Sequence, residues 1–266
     1  PGAMVRIANA PCSPFSVSPS LMRESIEMAR SYGVPSHTHL AESVDDETYM
    51  DERYGKSSVE MAREWGWVGS DVWYAHAVQV GKSDIEIMAE TGTGIAHCPN
   101  SNMFLASGCC PVRDMLVAGV PVGIGVDGSA SNNASNLFDE VRDALLLQRV
   151  YHGADALAPT QAVELATLGG AKVLGRDDIG SLEAGKCADV IGIDLRRLSF
   201  AGGLHDPVAA LVLCDVGQVD LSIVNGDIRV MDGQIVGVDL PELIRRQNVR
   251  AKDLVARTEK RYGVAM

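Results

Sequence analysis

The stretch Ser36-His37-Thr38-His39-Leu40-Ala41-Glu42 sets two histidines at i and i+2 and a glutamate three residues beyond the second. On a strand, alternate side chains share a face, so His37 and His39 point the same way. Glu42 falls just past the strand end, where its carboxylate can swing back over a metal held by a histidine. A hydrolytic zinc site needs this set: a neutral imidazole ligand, and an acid/base beside an activated water. A half-exposed strand with two satisfied histidines would show the same pattern, so the rest of the chain must decide. Three more groups of the right type follow at the ends of apolar runs: His76 in Tyr74-Ala75-His76-Ala77, His97 in Ala96-His97-Cys98-Pro99, and Asp127 in Gly125-Val126-Asp127-Gly128.

These groups need elements to position them, and the chain alternates strand-like with helix-like segments. Residues 5–10, 36–40, 72–77, 94–99 and 121–127 read as strands. Between and after them, helical spacing covers residues 19–32, 45–65 (interrupted at Gly55), 83–90, 112–118, 137–149 and 159–174. Such β-α alternation predicts a parallel sheet with crossover helices. Polar residues collected at the carboxyl ends of successive strands favour a (β/α)8 barrel of the TIM type. A doubly wound sheet would place ligands similarly, but no Gly-rich phosphate loop follows the first strand. From residue 177 the texture changes to short strands with Asn225-Gly226 and Asp232-Gly233 turns, a small antiparallel β unit. A charged helix over 240–262 closes the chain. The expected organisation is a partial barrel over 1–176, the C-terminal part of a small, sandwich-like β subdomain over 177–240, and a C-terminal helix over 241–266.

The 266 residues suffice for a sizeable core. A net charge of −12 argues against nucleic-acid backbones and acidic membranes as partners. Six cysteines without a CxxC pair fit a reducing cytoplasm, the expected location. These residues contain no stretch that reads as a signal peptide or as a bilayer-length apolar run. The opening Pro1-Gly2-Ala3-Met4 runs straight into a strand-like stretch, as in a chain whose front part lies elsewhere.

His-Thr-His-Leu-Ala-Glu (37–42), Tyr-Ala-His-Ala (74–77), Ala-His-Cys-Pro-Asn-Ser-Asn (96–102), Gly-Val-Asp-Gly-Ser-Ala-Ser (125–131), Gly-Ser-Leu-Glu-Ala-Gly-Lys-Cys-Ala-Asp (180–189) and Val-Asn-Gly (224–226) occur in that order. Together they resemble the amidohydrolase superfamily, in its branch of purine, pterin and triazine aminohydrolases. Ala10-Pro11-Cys12-Ser13-Pro14-Phe15-Ser16-Val17 is similar to the 8-oxoguanine deaminases and their hydroxytriazine-aminohydrolase relatives. The resemblance implies that His39 is a metal ligand from barrel strand five, and that Asp127, ending strand eight, is a second ligand and the base for the attacking water. It makes Glu42 the proton shuttle and His76 the histidine that hydrogen-bonds the water. The family also carries a His-x-His pair on strand one, and no such pair lies upstream of residue 37. The chain therefore resembles strands four to eight, the C-terminal two-thirds of such a protein.

The implied cofactor is one Zn2+ per chain, or another divalent metal. The implied reaction is hydrolytic deamination of an oxidised purine, 8-oxoguanine first, with guanine, isoxanthopterin or a hydroxytriazine as alternatives. A metal-free, non-catalytic scaffold or inactive fragment is the reading of another class, and pairing with a second chain a further one. A homo-oligomer, with a dimer as the simplest form, is implied by resemblance only. Cys12 and Ser13 either line the base pocket or shape the turn. His97 either touches substrate or pins the Cys98-Pro99 turn. Asn102 and Ser101 are loop-shaping residues with a substrate role as the alternative. Trp65, Trp67 and Trp73 read as packing, and His152 and His205 as structural.

Overall fold

The computed structural model describes residues 4–264, so residues 1–3 of the opening stretch and 265–266 of the C-terminal segment lie outside the described residues. The chain divides into two compact units, one of Pro1–Cys187 with Leu195–Val216, the other of Ala188–Asp194 with Gly217–Met266.

In the first unit α1 (Pro19–Ser31) starts where the Ser18 hydroxyl accepts from the Leu21 N–H, with proline in the first turn. It leads into β1 (Ser36–Leu40), then α2 (Val44–Tyr54) and α3 (Ser58–Glu64), which are separated by left-handed Gly55. β2 (Val72–His76), α4 (Lys82–Thr91), β3 (Gly94–His97), α5 (Pro99–Phe104), α6 (Val112–Ala118) and β4 (Val122–Ile124) follow. α7 (Leu137–His152), α8 (Pro159–Glu164), a π-helical turn (Leu165–Gly169) and α9 (Gly170–Val173) complete the run. The four strands form a parallel sheet in the order β1-β2-β3-β4, with His39 opposite Ala75 and His97 opposite Ile124. Parallel strands need crossovers, and the helices supply them.

The sequence predicts five parallel strands, and among the described residues four form the parallel sheet. Residues 5–10 make a single parallel bridge, Asn9 to Ser36. Pro11 has no N–H to extend the ladder. The segment instead runs beside β1 through Asn9, whose N–H donates to Pro35 O, and Cys12, whose carbonyl accepts from the His39 N–H at 3.0 Å. Buried Met22, Ile26, Leu40, Trp67, Tyr74, Met88, Ile95, Met115 and Leu145 fill the core between sheet and helices. Trp67 Nε1 donates to Met22 O, so the indole is satisfied as packing requires.

The π-helical turn lies against β4, where a Cβ on Gly169 would fall 2.2 Å from Val122 O. Only glycine permits that approach of helix to strand.

In the second unit β5 (Val190–Gly192) pairs with β6 (Leu221–Val224) of an antiparallel sheet that continues through β7 (Asp227–Met231) to β8 (Gln234–Ile235). Asn225-Gly226 and Asp232-Gly233 make its two turns with both residues at positive φ, the conformation a two-residue hairpin demands. The intervening α10 (Pro207–Leu213) belongs to the first unit, and α11 (Leu240–Tyr262) to the second. Among the described residues, no helix is long and apolar enough to cross a membrane.

Candidate metal and catalytic site

The carboxyl ends of β1, β2 and β4 bring His39, His76 and Asp127 together, one ligand atom of each within 4.8 Å of the others. Each residue arrives there by a local device. The His39 Nδ1 hydrogen-bonds the Cys12 carbonyl at 2.7 Å, which leaves Nε2 for a ligand. The main chain ends β1 and β2 abruptly, with Ala41, His76 and Ala77 all left-handed at φ 52°, 74° and 47°. His76 is in register with Leu40, on the face opposite to His39. Its positive φ breaks the alternation and brings its ring onto the His39 ring, with centroids 5.4 Å apart. The N–H groups of Val78 and Gln79 donate to Ala41 O and lock the two strand ends to each other.

Glu42 follows Ala41 and is held by its backbone. The Asp46 carboxylate accepts from the N–H groups of Glu42 and Ser43 at 3.0 and 3.1 Å, closing a capping box at the start of α2. The Glu42 carboxylate then lies 3.6 Å from His76 Nε2. His76 is buried, and its Nδ1 donates to Asn102 Oδ1 at 2.9 Å, so Nε2 is the ring nitrogen that faces Glu42 and, at 4.0 Å, Asp127.

Asp127 also sits at positive φ, 61°, followed by Gly128. Its Oδ2 accepts from the hydroxyls of Ser101 and Ser131 at 2.7 and 2.8 Å. Burial alone would raise its carboxyl, but those hydroxyls, the Gly128 N–H and the charge of His76 outweigh it and hold the group below the usual carboxylate range. Behind it, Gly125 approaches Cys98 so closely that a Cβ there would meet the sulfur at 3.1 Å.

Of the other residues singled out in the sequence, Cys12 presents its carbonyl to His39, with an exposed side chain. Asn102 is buried on α5 and holds His76, while its own Nδ2 has no hydrogen-bond partner. His97 is buried, and neither ring nitrogen has a partner. Burial, and then the charge of His76, push it down to about 3, so it is neutral across the ordinary pH range. Trp73 stacks on His37 with centroids 4.9 Å apart.

Sequence reasoning did not single out Asp46, Asn132 or Glu140, and it gave Ser101 a loop-shaping role with substrate contact as the alternative. A signal for Glu140 does exist: it falls on the i, i+4, i+8 stripe with buried Ala144 and Gln148, where a charge needs a reason.

Two imidazoles and a carboxylate, with one ring nitrogen already fixed by a carbonyl, are donors of the type a divalent zinc ion takes.

Residues 1–229 match the sequence pattern of the Amidohydrolase family. An 8-oxoguanine deaminase of Pseudomonas aeruginosa is 48% identical over 96% of this chain and 57% of its own length. An isoxanthopterin deaminase of an unknown prokaryotic organism is 41% identical over 91% of this chain and 54% of its own length. The crystal structure of an atrazine chlorohydrolase from Arthrobacter aurescens TC1, complexed with zinc, superposes with a TM-score of 0.89 at 34% identity, over 94% of this chain and 55% of that one. The chain thus spans a little over half the length of the curated relatives it matches. With its ordered motifs meeting at the ends of three parallel strands, this chain belongs to the amidohydrolase family.

Proposed function

We propose that this chain carries the zinc-binding and proton-transfer half of a hydrolytic aminohydrolase, acting on an oxidised purine with 8-oxoguanine as the preferred substrate. The observation that carries the reading is the convergence of His39, His76 and Asp127 within 4.8 Å, with the Glu42 carboxylate 3.6 Å from His76. The 48% identical 8-oxoguanine deaminase supports the choice of substrate. In this reading the four parallel strands are the later strands of a (β/α)8 barrel, whose active sites gather at the carboxyl ends.

His39 and Asp127 would hold the metal. When bound, zinc supplies the Lewis acidity that brings deprotonation of water into the neutral range. Asp127 takes the proton of the attacking water, its carboxylate kept ionised by two serine hydroxyls. His76, with Nδ1 committed to Asn102, turns Nε2 toward that water and orients it. The oxygen adds to the ring carbon bearing the amine, and Glu42 protonates the adjacent ring nitrogen. Proton transfer to the amine then breaks the C–N bond. Ammonia leaves, and a carbonyl remains on the re-formed ring. The Cys12 carbonyl holds the His39 ring in place.

The test measures metal content by elemental analysis, then ammonia release from 8-oxoguanine, guanine, isoxanthopterin and a hydroxytriazine. The expected result is about one zinc per chain and fastest release from 8-oxoguanine. Glu42→Gln should retain zinc while kcat falls by about 10²- to 10⁴-fold. Asp127→Asn should lose both. A chain that takes up no zinc and turns over none of the amines overturns the reading and leaves the non-catalytic alternative.

A further inference from the structure

Glu140 lies in the first turn of α7 and is 0% exposed, an unusual place for a carboxylate unless it is paired. One of its oxygens accepts from the Asn100 backbone N–H at 3.1 Å, the other from Asn132 Nδ2. Each partner is the chain neighbour of a serine that holds Asp127. Asn100 precedes Ser101, Asn132 follows Ser131, and the two hydroxyls meet on the same Asp127 oxygen. Asn132 Nδ2 also donates to the carbonyl of Val126, the residue before Asp127, at 2.7 Å. Asn102, two residues beyond Asn100, holds His76. A single buried carboxylate thus ties the start of α5 to the turn after β4. An apolar residue at 140 would fill the space but leave two buried donors unmet, which costs more than the bonds return. Burial pushes the Glu140 carboxyl up to about 7, against the pull of Asn100 and Asn132.

We propose that Glu140 is a positioning residue for this site: by gripping Asn100 and Asn132 it sets the serine pair, and through it aims the second oxygen of Asp127. The inference rests on the reading of Asp127 as ligand and base given above.

Glu140→Gln keeps the shape and exchanges one acceptor for a donor, so one of the two grips fails. Zinc affinity, measured by competition with a chelating dye, should fall about tenfold or more. In a Ser101→Ala/Ser131→Ala background the same change should alter affinity less than twofold, because its route to Asp127 has been removed. A merely structural Glu140 would lower the thermal midpoint with affinity unchanged, or lower affinity by one factor in both backgrounds; either result overturns the proposal. Hydrogen exchange on the metal-free chain separates this from the aminohydrolase reading. Glu140→Gln should speed exchange at residues 98–102 and 127–132, and unchanged rates there overturn the proposal even if the chain binds no zinc. Should Glu140→Gln not fold, Asn132→Ala takes its place. It should loosen 127–132 while the Asn100 amide stays protected, and loss of protection at neither segment is the contrary result.

Discussion

His97 holds a ring with two unpartnered nitrogens in a fully buried place beside His76. The unfolded chain takes a proton on such a ring near 6.5, the folded chain only near 3. Its neutral form therefore contributes stability that is complete above pH 6.5 and is lost as the pH falls from there toward 3. His97→Leu has no proton to gain, so its thermal midpoint should drop less between pH 6.5 and 4 than that of the unaltered chain. Equal slopes in a scan across that range would remove His97 from the account. Residue types at strand ends made His39, Glu42, His76 and Asp127 legible from the sequence. Their supports were not, because Ser101, Asn132 and Glu140 are joined by bonds spanning 8 to 40 positions that no local pattern encodes.

The strands from Ser36 to Ile124 were legible because parallel, buried strands read as apolar runs bounded by Gly and Pro. Where the reading differs from the structure, a proline is often involved. Pro99 looks like the end of a strand, yet it is the first residue of α5, where a missing N–H costs nothing. That helix turns Ser101 and Asn102 from loop residues into the partners of Asp127 and His76. The helical spacing over 159–174 likewise hid the π-helical turn, which exists to bring Gly169 against Val122 O. Gly169→Ala should force α9 off β4 and destabilise the unit by about 1–3 kcal/mol or more, read as a shift in the urea midpoint. Gly170→Ala, the next residue in the same helical backbone, where an added Cβ meets only Leu165 O at 3.9 Å, is the control.

Across the molecule, a net charge of −12 is spread over a chain that must still fold compactly. Like charges repel in the folded state, and salt screens them over about 10 Å at 0.1 M. Raising sodium chloride from about 0.02 to about 0.5 M should therefore raise the thermal midpoint; a flat or falling trend would show that paired charges such as Arg30–Asp71 and Arg176–Asp178 dominate instead. At this scale the ordered motifs were the most legible feature. They run from the first to the second unit, and residues 1–229 match one family.

The left-handed residues at the strand ends bear on engineering. Ala41, Ala77 and Asp127 each hold a conformation that L-residues resist by about 1 kcal/mol or more. Ala41→Gly and Ala77→Gly would relieve it, so a selection for heat tolerance alone has a ready path through these two positions. The same changes would soften the hinges that carry Glu42 and His76. A library screened only for thermal survival should thus enrich glycine at 41 and 77, in variants that gain endurance while the His39, His76 and Asp127 cluster loosens.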